Sequence, residues 1–389
     1  MELTYLEPLP ILVFSNLLMV GFLLLLCRKG LKEPYALSPW RRYLIILTAA
    51  VFCLFSFWNT DWFHYAEMYM NLVYEDGYNT SLEEVYYLIA NYLSPNYVVF
   101  RAVVWGMALY LLCLLLKHIS LRGDLVLCIF CMTWMIYFGY ARVSLAFAMM
   151  YLGASLISKS VGGRVLISLM LGFLLLIASF FFHKSSAFGI ALILLALSPK
   201  LLNRRTFLLL LMAYPFLVLI SQLMLAQFMN SAVDPNARNT GATAGMTYLI
   251  EEGDEIGFAY RLQLALECIP YYLLAFVGYK MSVLTDEADG EEGDEAQPLV
   301  PADIRFFGRL LFYIVASASV FLFSLEMNTR NFYIRFLRFG FIPASIVMAW
   351  LWQSGRYPRF RKFTLLFTLA GIWYALLYSF YVAYLGAAK

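Results

Sequence analysis

The chain has 389 residues, of which 62% are apolar and only 14% charged, with a net charge of +3. That balance excludes a soluble domain. The basic residues are dispersed among loops rather than gathered on one face, so nothing calls for a nucleic-acid partner.

The apolar residues fall in runs of about 16 to 23, each long enough to cross a hydrocarbon core roughly 30 Å thick. The expected fold is therefore an all-α polytopic integral membrane protein, a single membrane domain over 1–389 with about 12 transmembrane helices, in a range of about 10 to 13. The predicted spans are 9–27, 43–58, 98–116, 125–140, 142–158, 165–182, 185–198, 206–228, 261–281, 304–325, 336–353 and 363–386. The first follows Glu2 and Glu7 rather than a basic segment, which argues against a cleaved signal peptide.

Loop charge sets the orientation. Arg28, Lys29, Lys32, Arg41 and Arg42 follow the first span and mark that loop as cytoplasmic. Counting on, Lys117/Arg122, Lys159/Arg164, Lys200/Arg204/Arg205 and Arg356/Arg359/Arg361/Lys362 fall on the same side. The acidic loops 59–97 and 229–260 then face outward, as do both termini. The acidic stretch 282–303 lands inside and reads as a solvated linker, because it lacks apolar periodicity and acidic residues carry little topological weight.

Several polar residues depart from this pattern at the outer face. Asp61, His64 and Tyr65 occupy positions i, i+3 and i+4 of one helical face, continued by Met68 and Tyr69. They read either as a carboxylate–imidazole general base or as a helix cap with a histidine at a wet interface. Ser81-Leu82-Glu83-Glu84 has the form of a capping box. It predicts a short interfacial amphipathic helix in the first outer loop, with Val85, Leu88, Ile89, Tyr92 and Leu93 apolar, ended by Ser94-Pro95. Arg101 follows about a turn into the next span, near the outer mouth.

A single helix from Leu125 to Ser158 would be about 50 Å long, too long for one crossing. A break at Gly139-Tyr140-Ala141 gives two short helices with Arg142 at their outer junction. The span after His183-Lys184 is also short, which predicts a water-filled depression lined by Arg142, His183 and Lys184. An arginine at such depth marks either function or a side chain that snorkels to the interface. His183 can take a proton near neutral pH, and Lys184 can neutralise a phosphate, although a histidine at a helix end is often structural. Arg330, Arg335 and Arg338 form a further group, in which Arg335 and Arg338 share a face and offer planar forks suited to diphosphate. Arg261 starts the ninth span.

All six cysteines lie in or beside apolar spans, and Cys128-x-x-Cys131 sits in LVLCIFCMTW, where a thiolate is costly. No metal site, cofactor or nucleotide motif is predicted, since only three histidines occur and no Walker A, Rossmann, HExxH or GxSxG pattern is present.

Asp61-Trp62-x-x-Tyr65, the acidic and Tyr-rich loop, the Phe100-Arg101 pair, Arg142 in YARVSLAFAM and His183 in FFFHKSSAF together resemble the EpsG family. The resemblance spans about Asp61 to Phe339. It implies a protein of exopolysaccharide or capsule synthesis in the bacterial cytoplasmic membrane, acting as a Wzy-like polymerase of oligosaccharide units carried on undecaprenyl diphosphate. In that role Asp61, His64 or His183 would handle the proton. Arg101, Arg142, Lys184, Arg261, Arg330, Arg335 and Arg338 would hold diphosphate, and Trp62, Tyr65 and Tyr69 would stack on sugars. The implied partners are the lipid-linked oligosaccharide, membrane lipid, a flippase and a chain-length regulator. A lipid-linked oligosaccharide flippase and an O-antigen-ligase-like transferase are the competing readings.

Overall fold

The computed structural model describes residues 9–32, 37–54, 69, 85–86, 96–133, 141–161, 166–198, 201, 209, 212–213, 258–288, 300–322, 336–355 and 357–385. Among these the chain is helical and has no strand. The helices in order are α1 (Leu9–Lys32), α2 (Pro39–Leu54), α3 (Tyr97–His118), α4 (Gly123–Thr133), α5 (Ala141–Val161) and α6 (Leu166–Phe182). They continue as α7 (Ser186–Leu197), α8 (Phe258–Ala288), α9 (Ala302–Leu322), α10 (Phe341–Gln353) and α11 (Pro358–Leu385).

Local chemistry explains several boundaries. Pro39 and Pro358 open α2 and α11, where a missing N–H costs nothing. Asn96 caps α3: its side-chain oxygen accepts from the N–H groups of Val98 at 2.9 Å and Val99 at 3.4 Å. Lys117 and His118 occupy the last turn of α3, where cations suit the helix dipole. Before α11 the chain turns through Gly355 at φ 69° and Tyr357 at φ 51°.

By contacts the chain forms two compact units: Met1–Ala187 with Met348–Lys389, and Phe188–Val347. The first unit is built around α4 and α5. Every residue from Asp124 to Thr133 and from Ser144 to Ile157 is buried, as expected for helices apolar on all sides. Around them α1 packs on α2 and α4, α2 on α3, α3 on α5, and α5 on α6. The last pair is close because both helices present a glycine: a Cβ on Gly153 would lie 2.7 Å from the Gly172 carbonyl oxygen. Small residues let helix backbones meet in this way inside a membrane.

The outward side of α6 is apolar, with Leu166, Ile167, Met170, Leu174, Ile177 and Phe181 all exposed. A soluble protein rarely leaves such a contiguous surface uncovered, whereas hydrocarbon matches it. By length and composition α3 can cross a membrane, and 17–28, 123–133, 143–159, 166–182, 186–197 and 341–353 form shorter apolar helical stretches.

In the second unit α8 and α9 cross at Gly278 and Gly308, whose backbones touch. Tyr272 and Ser319 share a hydrogen bond at 2.5 Å. The Ser282 hydroxyl donates to the Gly278 carbonyl at 3.0 Å. Here the structure differs from the sequence reading: α8 runs on to Ala288, so the first residues of the expected acidic linker are helical. Helix propagation adds one hydrogen bond for each residue fixed, and that carries the helix past the apolar span. The expected span 206–228 and the break at Gly139-Tyr140 lie outside the described residues, apart from Leu209, Met212 and Ala213.

Candidate functional site

One end of the first unit is an aromatic joint. Phe100, in the first turn of α3, meets Tyr69 at 4.7 Å and Tyr86 at 5.9 Å between ring centroids. Tyr69 also lies 5.5 Å from Tyr97. Tyr86 then meets Phe182, the last residue of α6, edge to face at 5.9 Å. Tyr69 and Tyr86, which lie between α2 and α3 in sequence, thus tie the start of α3 to the end of α6. Edge-to-face and tilted pairs of this kind add to the area they bury.

Arg101 sits beneath this joint and is 1% exposed. Its guanidinium donates to the Cys53 carbonyl at 2.7 Å and to the Tyr97 hydroxyl at 3.2 Å. The same group lies 5.6 Å from the Tyr97 ring and 6.0 Å from the Trp105 ring. A buried guanidinium requires such partners, since an unpaired charge out of water is very costly.

Directly after Phe182 comes the turn His183-Lys184-Ser185. The His183 N–H donates to the Ser179 carbonyl at 3.0 Å, and its carbonyl accepts from Ser186 at 2.8 Å. Ala187 donates back to Lys184 at 3.2 Å. His183 is half-buried, while Lys184 and Ser185 are exposed. Ser186 is fully buried, and its hydroxyl has no hydrogen-bond partner among the described residues.

The other end of the first unit is a polar clasp. Arg122 pairs with Asp124 at 2.9 Å. Asp124 also accepts from the Leu37 N–H at 2.7 Å, and the Arg122 N–H donates to Gln353 at 3.1 Å. The Trp352 indole donates to the Leu31 carbonyl at 2.8 Å, and Arg361 donates to the Trp352 carbonyl at 3.1 Å while lying 4.9 Å from its ring. Burial alone would raise the Asp124 carboxyl, but the hydrogen bonds from Arg122 and Leu37 outweigh it and hold the group below the ordinary carboxylate range. Three loops that the basic residues place on one side, after α1, after α3 and after α10, therefore meet at one end of the bundle. The 22-residue α3, about 33 Å long, separates this clasp from the aromatic joint.

A family model, the EpsG family, matches residues 40–386. The chain belongs to the EpsG family. Membership carries membrane residence and a role in polysaccharide biosynthesis. No curated protein and no solved structure matches the chain.

For this EpsG-family chain the predicted site residues are placed unevenly. His183 and Lys184 stand at the joint end of the first unit. Arg101, which the sequence reading gave to diphosphate, is there too, and its guanidinium donates to the Cys53 carbonyl and the Tyr97 hydroxyl. Tyr69, expected to stack on sugar, is 2% exposed and packed on Tyr97 and Phe100. Burial raises its phenol above the ordinary value. Both are buried at the joint.

Arg142 and Arg261 lie in the first turns of α5 and α8, with their side chains outside the described residues. Asp61, Trp62, His64, Tyr65, Arg330 and Arg335 lie outside them entirely, as does the interfacial helix apart from Val85 and Tyr86. In the second unit Arg338 is half-buried, in a helical turn whose Phe336 and Phe339 pack on Phe188 at 4.2 and 5.8 Å.

Sequence reasoning passed over Arg309. It is 8% exposed and donates from Nε to the Ala196 carbonyl at 2.9 Å. Ala196 is in the last turn of α7, where carbonyls lack helical partners and a cation suits the dipole. A basic residue eight positions into α9, on a buried side, was the available signal.

Proposed function

We propose that this chain polymerises oligosaccharide units carried on undecaprenyl diphosphate at the outer face of the bacterial cytoplasmic membrane. It would cross that membrane about 12 times, with both termini outside. The reading rests on one observation: an exposed lysine and a half-buried histidine stand together at the joint end of the first unit, opposite the end where the basic loops gather. At the clasp end Arg122 is tied to Asp124 and Arg361 to the Trp352 carbonyl, among loops whose basic excess fits the cytoplasmic side. At the joint end Lys184 is exposed beside a half-buried His183, on the side where the positive-inside rule asks for no cation.

The chemistry needs no nucleotide. The acceptor sugar's hydroxyl oxygen attacks the donor's anomeric carbon, and the bond from that carbon to the diphosphate oxygen breaks. The lipid diphosphate leaves with the electron pair, and the hydroxyl proton passes to a base. His183 or Asp61, assisted by His64, is the base. Lys184 and Arg142 stabilise the charge that develops on the leaving diphosphate. Arg338 in the second unit, with Arg330 and Arg335 in the same segment and Arg261 in α8, supplies further cations of the type that grips phosphate. A flippase that delivers units and a regulator of chain length are the partners such an enzyme requires.

The test is purified protein incubated with one defined diphospholipid repeat unit. A ladder of products supports the proposal. A single transfer onto a different acceptor identifies a ligase. No product, with movement of the unit across a vesicle, identifies a flippase.

A further inference from the structure

Several serines in the helices of this chain bond back to a carbonyl three or four residues earlier. Ser179 does so to Leu176 at 2.7 Å, Ser319 to Val315 at 2.6 Å and Ser345 to Phe341 at 2.8 Å. Ser186 departs from this pattern. It is fully buried, yet its hydroxyl has no hydrogen-bond partner among the described residues. The carbonyl three residues back, on His183, already takes the Ser186 N–H at 2.8 Å. A buried hydroxyl left without a bond is costly and calls for a reason. Ser155 shares the defect but lies inside α5, with no helix end to face.

Position supplies the reason for Ser186. It is the first residue of the 12-residue α7. Helix side chains tilt toward the N-terminus, so the hydroxyl is aimed at the positive end of the helix dipole. The first turn of α7 holds no acidic residue to balance that end. Immediately before it stand exposed Lys184 and Ser185, preceded by half-buried His183. A cation, a helix N-terminus and a hydroxyl with a hydrogen to give thus converge within residues 184–186, all in the first unit.

We propose that this end of α7 seats the phosphate groups of a polyprenyl diphosphate, with the Ser186 hydroxyl donating to a phosphate oxygen and Lys184 neutralising its charge. The ligand meets exposed Lys184 and Ser185 first, and parts the turn to reach the hydroxyl behind them. Helix N-termini take anionic oxygens in this way, and a hydrogen bond to a charged oxygen is stronger than one to a neutral sugar. The assignment rests on the reading of this turn as the donor's site, and adds Ser186 to that site as a binding residue.

The experiment measures binding of undecaprenyl diphosphate to the purified full chain in nanodiscs, with undecaprenol and inorganic diphosphate as comparison probes. S186A should weaken undecaprenyl diphosphate by about 10- to 100-fold, the worth of a hydrogen bond to a charged group, and leave undecaprenol unchanged. S158A removes a half-buried hydroxyl that donates to the Ser155 carbonyl at 3.0 Å, and should alter neither. Without ligand, S186A should unfold at the wild-type temperature or above it, because it deletes an unmet hydroxyl. Equal binding of undecaprenyl diphosphate by wild type and S186A would overturn the proposal. So would an S186A protein less stable than wild type without ligand, or inorganic diphosphate that binds as tightly as the lipid. The ladder of products separates this proposal from the polymerase. Binding that depends on Ser186 with no ladder contradicts the polymerase and keeps the seat, whereas a full ladder from S186A overturns the seat and keeps the polymerase.

Discussion

Arg101 donates to the Cys53 carbonyl at 2.7 Å, and so fastens the second turn of α3 to the last turn of α2 from within a buried setting. The same guanidinium also holds the Tyr97 hydroxyl. An arginine that a sequence would offer to a substrate is here part of the frame.

Replacing Arg101 by Met should therefore destabilise the protein rather than alter its chemistry. Hydrogen bonds to a charged group are worth about 1.5–3 kcal/mol each, and Cys53 would be left with an unmet carbonyl. The unfolding midpoint in detergent should fall clearly, while turnover per folded molecule should hold. Unchanged stability with lost turnover would return Arg101 to the substrate.

The crossing of α5 and α6 tolerates no side chain at Gly153. Gly153→Ala places a methyl 2.7 Å from the Gly172 carbonyl oxygen, and overpacking of this kind costs about 1–3 kcal/mol. Gly21→Ala in α1 meets nothing within 4 Å and should be neutral or slightly stabilising, since alanine favours helix. Thermal unfolding of the two variants side by side checks the contrast.

The clasp should loosen in acid. The Asp124 carboxyl is lowered in the folded state. Its contribution to stability is then present above the ordinary carboxylate value and lost as pH falls through the lowered folded one. Asp124→Asn should lower stability at neutral pH and flatten this part of the acid limb. The unfolding midpoint measured from neutral to acid pH in both proteins is the readout, and parallel curves would show that Asp124 contributes nothing through its charge.

At the proposed site, His183→Ala should reduce polymerisation by about 10²–10⁴-fold if the imidazole takes the proton. Lys184 is exposed, so Lys184→Gln should keep membrane levels while weakening use of the diphospholipid donor. Product ladders normalised to folded protein measure both. Full output from each variant would remove this turn from the site.

Most of the helices were legible in the sequence because long apolar runs end in strong signals. The predicted 165–182 and 185–198 agree with α6 and α7 on either side of His183-Lys184. What could not be read was where side chains find distant partners. Tyr97 and Arg101 are visibly one helical turn apart, yet the oxygen that fixes Arg101 lies 48 residues away on the backbone. Arg309 reaches a carbonyl 113 residues away. A backbone carbonyl leaves no mark in the sequence, so a buried arginine satisfied by one looks the same as an arginine awaiting phosphate. The clasp was half legible: loop charge placed its three segments on one side, but not the bonds from Leu37 and Gln353 that join them.

Everything depends on the His183 turn and the Arg122 clasp facing opposite compartments. Ser185 and Ser120 are exposed at these two ends, so single cysteines at each, in a background free of the native thiols, can be probed on intact cells with a membrane-impermeant reagent. Ser185→Cys should react from outside, and Ser120→Cys only after the membrane is opened. Reaction of both from the same side would contradict the account.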